Sequence, residues 1–391
     1  MTKPEIRHEG EDILLSWPDG IEAEVRDIQQ WRDGPRAEVR VSSRLQEPGH
    51  LHQAMLNLMS SSSRDTFRRI LHQRDPEVDW QAYLEQICIL SVTAWRQGNP
   101  FLRIEPELRS QERAFAARPI LPSGLPTIYF GDGGAGKSLF VQQLAGSLVQ
   151  GEGFAGIYID HPHNVGYLDW ETDEADFSDR MARLGFGSGV WYRRCTAPLV
   201  QISRQIRREA DQLGIEVFII DSLGYAAGGD IREAETALAF FSAIHYLGRT
   251  SAIVHHIPKD SKEPYGSVYV RNSARSAWFL AQSTGDGGFG LAMVHRKANN
   301  TAKFDPIAFN VVFEDSSITF HRTDAKPALA EIGELRGKDL VLLTLQELGE
   351  MTLPDIADHM GSTKERVSVW LFRLRKEGRV SPAAHGVWKP L

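Results

Sequence analysis

The chain has 391 residues, and its 44 basic and 51 acidic side chains leave a formal net charge of −7, so no global positive charge indicates nucleic-acid binding. Its two cysteines, Cys88 and Cys195, argue against a disulfide scaffold or a structural zinc site. The first residues lack the apolar core of a signal peptide and no run is long enough to span a bilayer, so we expect a soluble, cytoplasmic protein of two or three domains.

The N-terminal part, residues 1–98, is predicted to be a small α+β domain. Strands are indicated at Ile13–Trp17 and Ala37–Val41, and the turn signal at residues 18–20 lies between them. From Leu51 onward the apolar spacing, which includes Met55, becomes helical. The pattern contains no phosphate loop and no metal spacing. We interpret this domain as an adaptor for assembly or for a partner, such as a replication or mobile-element protein.

A linker is predicted next, over residues 99–124. It is rich in proline around a charged stretch, Glu105–Arg118, which could carry one short helix.

Residues 125–325 alternate strand and helix patterns, which predicts an α/β layer with a mostly parallel sheet. The first strand of this layer, Thr127–Phe130, leads into a glycine-rich loop and then a helix, which is the setting in which such a loop binds phosphate. The loop consists of Gly131, Asp132, Gly133, Gly134, Ala135, Gly136, Lys137 and Ser138. We expect ATP here, with Lys137 on the β- and γ-phosphates and Ser138 on Mg²⁺.

Asp221 ends the clearest buried strand of the chain, which covers residues 216–222. An aspartate in this place suits the Walker B role, in which it holds Mg²⁺ beside Ser138. The alternative is an aspartate that merely caps the loop after a strand.

Glu171 ends another predicted strand, residues 165–171. A carboxylate there can face the γ-phosphate and orient or deprotonate the attacking water, which makes Glu171 a catalytic candidate. The alternative is a structural acidic turn, because three more carboxylates crowd the same stretch: Asp169, Asp173 and Glu174.

With these positions, residues 120–315 resemble the RecA-like P-loop ATPases, and among them the plasmid RepA-type hexameric helicases, which are relatives of the DnaB-type helicases. Glu171 stands where that family keeps its catalytic glutamate. The run His255-His256-Ile257-Pro258-Lys259 is similar to the family's His-His-x-x-Lys, which implies that His256 senses the γ-phosphate. From the residues alone, a packed core role for His256 is an equal alternative.

The same resemblance extends to a later segment, residues 266–278, which is similar to the one that carries the family's arginine finger. Arg275 is the matching position, and Lys297-Ala298-Asn299 is similar to the family's Lys-Ala-Asn turn, with Lys297 as a further nucleotide contact. The resemblance therefore implies a homo-oligomer, a hexamer, in which Arg275 acts on the neighbouring subunit's nucleotide. From the residues alone, Arg275 could equally form a structural ion pair.

DNA contacts are expected in two places. Lys259 lies in one of two loops, residues 224–230 and 259–265, that could face a central channel, although both could also be plain surface loops. Residues 335–391 have the pattern of a winged helix-turn-helix, with a basic third helix over Lys364–Lys376. The basic residues assigned to DNA on this helix are Lys364, Arg366, Arg373 and Arg375. Winged helices also bind proteins, and that alternative stays open.

These patterns predict an ATP- and Mg²⁺-dependent DNA motor of a mobile genetic element, a hexameric helicase or translocase with single-stranded DNA in its channel and duplex DNA on the winged helix. The alternative is an ATP-switched DNA-binding regulator or loader without unwinding activity. This alternative has weight because RepA-type helicases can be little more than the ATPase core, whereas this chain adds two further domains. A small-molecule kinase would need an acceptor site and a lid that the sequence does not indicate.

Overall fold

The computed structural model describes residues 2–9, 12–44, 49–98, 101, 103, 114–259, 261–285, 288–299, 302–335, 337–383 and 386–391. The chain divides into two compact units, residues 1–110 and 111–391. Most of the predicted linker, including its charged stretch up to residue 113, lies outside the described residues. The predicted domain boundaries at residues 98, 124, 325 and 335 stay predictions.

The first unit is an antiparallel sheet followed by two helices. Its five strands pair in chain order: β1 (Glu5–Glu9), β2 (Asp12–Ser16), β3 (Ile21–Trp31), β4 (Gly34–Ser43) and β5 (His50–Asn57). The helices are α1 (Ser61–Arg74) and α2 (Trp80–Gln97). Leu15, Val25 and Val39 are fully buried in the sheet, and Leu71 and Ile87 of the helices join the same core.

The helical prediction from Leu51 onward is wrong for its first residues, because these form β5. Leu51 and Leu56 are both buried although an odd number of positions separates them, whereas Met55 is 59% exposed. A register shift in the pairing with β4, between Val41 and Ser42, lets both leucines face the core. The helical prediction came from Leu51 and Met55, which are four residues apart in the sequence.

The second unit opens with a two-stranded pair, β6 (Phe115–Ala117) and β7 (Leu121–Pro122). The elements that build its centre then follow: β8 (Pro126–Gly131), α3 (Lys137–Gln150), β9 (Val165–Asp169), α4 (Glu174–Arg183), β10 (Val190–Arg194), α5 (Leu199–Leu213), β11 (Val217–Asp221), α6 (Leu223–Ala227), α7 (Ala234–Leu247), β12 (Thr250–His256) and α8 (Val268–Ser273). Four further strands complete it: β13 (Ser276–Gly285), β14 (Gly288–Ala298), β15 (Ile307–Phe313) and β16 (Ile318–Thr323).

These strands form one nine-stranded sheet in the order β10-β9-β11-β12-β8-β13-β14-β15-β16. From β10 to β13 every pairing is parallel, and from β13 to β16 every pairing is antiparallel. The predicted α/β layer with a mostly parallel sheet is therefore confirmed. Because parallel strands end at one edge, the C-terminal ends of β8, β9, β11 and β12 meet there, and the glycine loop, Glu171, Asp221 and His256 lie at these four ends.

Both faces of the sheet are buried, which explains the continuous apolar runs of its central strands. On one face Tyr129 and Ile219 pack with α3 and α4. On the other face Ile128 and Ile220 pack with α5 and α7. Neighbouring residues of one strand point to opposite faces, so each strand contributes to both layers.

The rest of the second unit is α9 (Ala325–Glu331), α10 (Lys338–Leu348), β17 (Met351–Thr352), α11 (Leu353–His359), α12 (Lys364–Lys376), β18 (Val380–Pro382) and β19 (Val387–Pro390). The short strands pair in the order β17-β19-β18, and α10, α11 and α12 share a core around Val341, Ile356 and Leu371. The winged-helix assignment of this region stays a prediction. None of the helices in the described ranges is long and apolar enough to cross a membrane.

Candidate functional site

The glycine loop connects β8 to α3, and at two of its glycines the neighbouring atoms leave no room for a side chain. A Cβ on Gly131 would lie 2.0 Å from the carbonyl oxygen of Leu280 in β13, and a Cβ on Gly136 would lie 2.8 Å from the ring of Phe289. Gly136 also has a φ of +80°, which disfavours any side chain. The backbone N–H groups at the start of α3 and the dipole of this helix favour the binding of phosphate in the loop.

Lys137, the first residue of α3, is 3% exposed and its ammonium donates to the carbonyl oxygen of Asp132 at 2.6 Å. Burial lowers the pKa of Lys137 to about 8, although the carboxylates of Asp221, Glu171 and Asp132 oppose this shift. The ammonium is thus poorly solvated and surrounded by acids. Phosphate oxygens would give it better partners than one carbonyl.

Asp221, at the end of β11, is 3% exposed. The hydroxyl of Tyr167 donates to its Oδ2 at 2.7 Å, whereas its Oδ1 is buried without a hydrogen-bond partner among the described residues. Burial raises the pKa of Asp221 to about 6, against the opposing effect of the Tyr167 and Ser138 hydroxyls. A buried, unpartnered carboxylate oxygen close to a serine hydroxyl fits Mg²⁺, which prefers such oxygen ligands. Tyr167 is a support that the sequence did not indicate.

Asp169, at the end of β9, holds the turn that presents Glu171. Its Oδ1 accepts hydrogen bonds from the backbone N–H groups of Glu171 at 2.8 Å and of Thr172 at 3.0 Å. Its backbone carbonyl accepts from the N–H of Cys195 at the end of β10. The acids crowded in this stretch therefore differ in role: Asp169 is turned inward at 1% exposure and positions the next carboxylate.

Glu171 is hydrogen-bonded to His256 at the end of β12, with 3.0 Å between Oε1 and Nε2. The Ser222 hydroxyl donates to the same oxygen. The hydrogen bond to His256 is the main cause of a lowered pKa of Glu171, so the carboxylate stays ionised. Ligand atoms of Glu171, Asp221 and His256 all lie within 4.8 Å of one another. An ionised carboxylate here, beside the phosphate loop, can orient water or take its proton.

The two adjacent histidines differ in position. His255 is 2% exposed, and its Nε2 lies 2.7 Å from the carbonyl oxygen of Tyr265, so it fastens the loop after β12. His256 points to the site instead.

Arg275 and Lys297 are not brought to the phosphate loop of their own chain. The backbone N–H of Arg275 donates to the carbonyl oxygen of Pro126, the first residue of β8, while the loop follows the last. At the rise of an extended strand, these ends are roughly 16 Å apart, farther than an arginine side chain extends. Lys297 lies at the same far edge, where its ammonium donates to the carbonyl oxygens of Arg271 at 2.6 Å and Asn272 at 3.0 Å.

The residues assigned to DNA are spread over two regions. Lys259 is exposed in the loop after β12. In the same loop Lys262 is engaged: its ammonium donates to the carbonyl oxygen of Ile332 at 2.8 Å and lies 3.1 Å from Glu334. On α12 the basic residues are all exposed: Lys364, Arg366, Arg373 and Arg375. Their helix also exposes two apolar side chains, Val369 at 49% and Phe372 at 67%.

Comparisons with known proteins agree with the site. Residues 100–262 match the family model of an AAA domain, which covers under half of the chain. This match supports a RecA-like P-loop ATPase, a class that hydrolyses ATP and generally uses Mg²⁺. Among solved structures, a KaiC-like protein from the hyperthermophilic archaeon Pyrococcus horikoshii is 15% identical, with 54% of this chain and 99% of that chain covered at a TM-score of 0.42. No curated protein matches the chain.

Proposed function

We propose that this ATPase is a DNA motor of a mobile genetic element that works as a homo-oligomeric ring, a hexamer, and separates or moves along DNA strands. ATP turnover supplies the energy, and each active site is completed by a neighbouring subunit. The position of Arg275 carries this proposal. A cation at the far edge of the sheet from its own phosphate loop could serve a nucleotide held by another copy of the chain, which supports the proposal.

Within one subunit the residues divide the work. Lys137 and the loop N–H groups hold the phosphates, and Ser138 and Asp221 would hold Mg²⁺, which neutralises charge on the transferring phosphoryl group. Glu171 orients the attacking water and accepts its proton. His256, bonded to Glu171 through Nε2, would sense the γ-phosphate of bound ATP.

Arg275 of one subunit would add positive charge to the transition state of the next, and Lys297 stands beside it. Removal of such an arginine costs about 10³–10⁵ in turnover in related chemistry. Hydrolysis would then depend on assembly. On the DNA side, Lys259 would follow the backbone of a single strand in the channel, and the basic face of α12 would meet a duplex.

The test mixes two inactive variants, Arg275→Ala and Glu171→Gln. If Arg275 acts in trans, some interfaces of a mixed ring pair an intact Glu171 with an intact Arg275, and turnover returns to a measurable fraction of the wild type. Arg271→Ala, four residues earlier on the chain, is the matched control and should keep activity alone. Absence of recovery in rings of confirmed mixed composition would reject the trans role.

The DNA part needs its own measurement. Single-stranded DNA should stimulate turnover of the wild type, Lys259→Ala should weaken this stimulation, and a forked duplex should be unwound only with ATP. Trans activation without any effect of DNA would leave an oligomeric ATPase and reject the motor.

A second function, the ATP-switched regulator or loader, is favoured by one contact. Glu334, whose side chain is 5% exposed, lies 3.1 Å from Lys262 and 2.7 Å from Arg296. Lys262 belongs to the loop that follows His256, while Glu334 belongs to the segment that leads into α10. A change at the nucleotide could therefore reach the C-terminal helices. If duplex affinity differs between ATP and ADP but no strands separate, this second function replaces the first.

A further inference from the structure

The loop between α3 and β9 carries a cluster of metal-ligating side chains that the ATPase site does not use. Asp160, His161 and His163 offer ligand atoms that all lie within 4.8 Å of one another. The His161 Nδ1 lies 2.7 Å from the Asp160 carboxylate, and the two imidazole rings are 4.2 Å apart. From this geometry we propose that Asp160, His161 and His163 form a binding site for a divalent transition-metal ion.

The burial of His163 distinguishes this cluster from an accidental grouping of exposed side chains. It is 8% exposed, and both of its ring nitrogens are inaccessible to solvent without a hydrogen bond among the described residues. Imidazole nitrogens buried in this way lose their water partners, so they need another ligand. The Nδ1 atom lies 3.5 Å from the Glu216 carboxylate, which leaves Nε2 for a metal. A carboxylate behind a ligating imidazole is the usual outer contact of such sites.

The backbone keeps the ligands in place. The N–H of His163 donates to the carbonyl oxygen of Leu148 near the end of α3 at 2.8 Å. Gly151, just after α3, lies so close to Pro162 that a Cβ there would approach the proline nitrogen to 2.5 Å. The part of the loop between the two histidines therefore packs tightly against the C-terminal end of α3. An open cavity of about 430 Å³ lies beside His163 and Trp191.

The donor set identifies the class of ion. Two imidazoles and one carboxylate suit Zn²⁺, Co²⁺ or Ni²⁺, whereas Mg²⁺ prefers oxygen ligands. The cluster precedes β9, and Asp169 ends that strand at the ATP edge, so the length of the strand separates the two sites by at least roughly 13 Å. The site would hold the loop that packs against the end of α3 and would be independent of the proposed motor function.

The test titrates the full-length protein with Co²⁺, whose visible absorption reports protein ligands, and then displaces it with Zn²⁺. Because Glu171, Asp221 and His256 also offer ligand atoms, every measurement is repeated in a His256→Ala background. We expect one Co²⁺ per chain in that background, displaced by Zn²⁺ but not by excess Mg²⁺. His163→Ala should weaken Co²⁺ affinity by at least about tenfold.

His161→Ala gives a second variant at an exposed position, so a folding defect of His163→Ala would not decide the matter. His245→Ala, an exposed histidine of α7, is the matched control and should bind Co²⁺ as the parent does. Zn²⁺ should raise the unfolding temperature of the parent but not of His163→Ala. The site is rejected if both loop variants bind Co²⁺ with the affinity and absorption of the parent, or if the parent binds none.

Discussion

The side chains of Glu171 and His256 are joined by a hydrogen bond of 3.0 Å although 85 residues separate them in the chain. Glu171 follows the end of β9 by two residues and His256 ends β12, and these strands are separated in the sheet by β11. The bond links the carboxylate proposed to activate water to the imidazole proposed to sense the γ-phosphate. Under that proposal, loss of the γ-phosphate would change the environment of the Glu171 carboxylate directly.

Substitution of Glu171 by glutamine should abolish turnover while ATP still binds. The amide keeps the shape of the side chain but cannot accept a proton from water, so we expect a loss of about 10²–10⁴ in ATP turnover. ATP affinity should change little, since the phosphates are held by the loop. Steady-state hydrolysis and equilibrium nucleotide binding measure the two effects. Glu174→Gln, at the exposed start of α4, should be active. A Glu171→Gln protein with wild-type turnover would exclude the carboxylate as the base.

ATP binding should take up protons near pH 8. The pKa of Lys137 is lowered to about 8 by burial, so about half of the unliganded protein has a neutral lysine at that pH. Phosphate favours the ammonium and raises its pKa, so binding draws in up to about half a proton. Calorimetry in buffers of different ionisation enthalpy measures this uptake. Lys137→Arg, always charged, should lack it. Equal uptake by both proteins would place the titrating group elsewhere.

Without Mg²⁺, Asp221→Asn should be more stable than the wild type at pH 8 but not at pH 4. Burial raises the folded pKa of Asp221 to about 6, above its ordinary value of 3.8. Stability is therefore fully present below the unfolded pKa and is lost as pH rises through about 6, by an amount on the order of 3 kcal/mol. The amide carries no charge and escapes this loss.

Chemical denaturation at both pH values tests the stability difference, with exposed Asp358→Asn as the control. Mg²⁺ should stabilise the wild type and leave Asp221→Asn unchanged. If Asp221→Asn is less stable than the wild type at pH 8, contacts other than a metal ion offset the cost of burying the ionised Asp221 carboxylate.

Glu334→Gln should lower the free energy of unfolding by about 1–3 kcal/mol, because it removes the charge of a nearly buried carboxylate that is ion-paired with Lys262 and Arg296. Burial alone would raise the pKa of Glu334, but its hydrogen bonds to Arg296 and Lys262 hold it below the ordinary range. Glu331→Gln is the control: it is exposed and accepts from Thr284 at 2.7 Å, so its loss should cost less. Thermal and chemical unfolding compare the two. Equal losses of stability in the two variants would mean that burial does not increase the contribution of Glu334 to the free energy of unfolding.

The centre of the site could be predicted because its signals are local. A glycine loop between strand and helix, and single acids at the ends of apolar runs, are enough to single out Lys137, Asp221 and Glu171. Parallel strands then bring these ends to one edge. The same locality explains the failure at β5, where Leu51 and Met55 have the four-residue spacing of a helix although Met55 is exposed in the strand.

The supporting contacts could not be predicted, since each joins distant parts of the chain. Tyr167 on Asp221 and Ser222 on Glu171 depend on which strands become neighbours. Lys262 is a plausible DNA contact by its sequence, yet its partner Glu334 lies 72 positions away and becomes visible only in three dimensions.

The close approach of Gly131 to Leu280 bears on the order in which neighbouring subunits hydrolyse ATP. Strand β13 starts beside Arg275, at the edge proposed to meet the neighbouring nucleotide, and passes under the glycine loop where the Leu280 carbonyl leaves no room for even a methyl group. Because no gap separates β13 from the glycine loop at this point, a small shift of the strand must also move the loop. We therefore expect adjacent sites to hydrolyse ATP in sequence rather than at random, with each hydrolysis altering nucleotide affinity one subunit away.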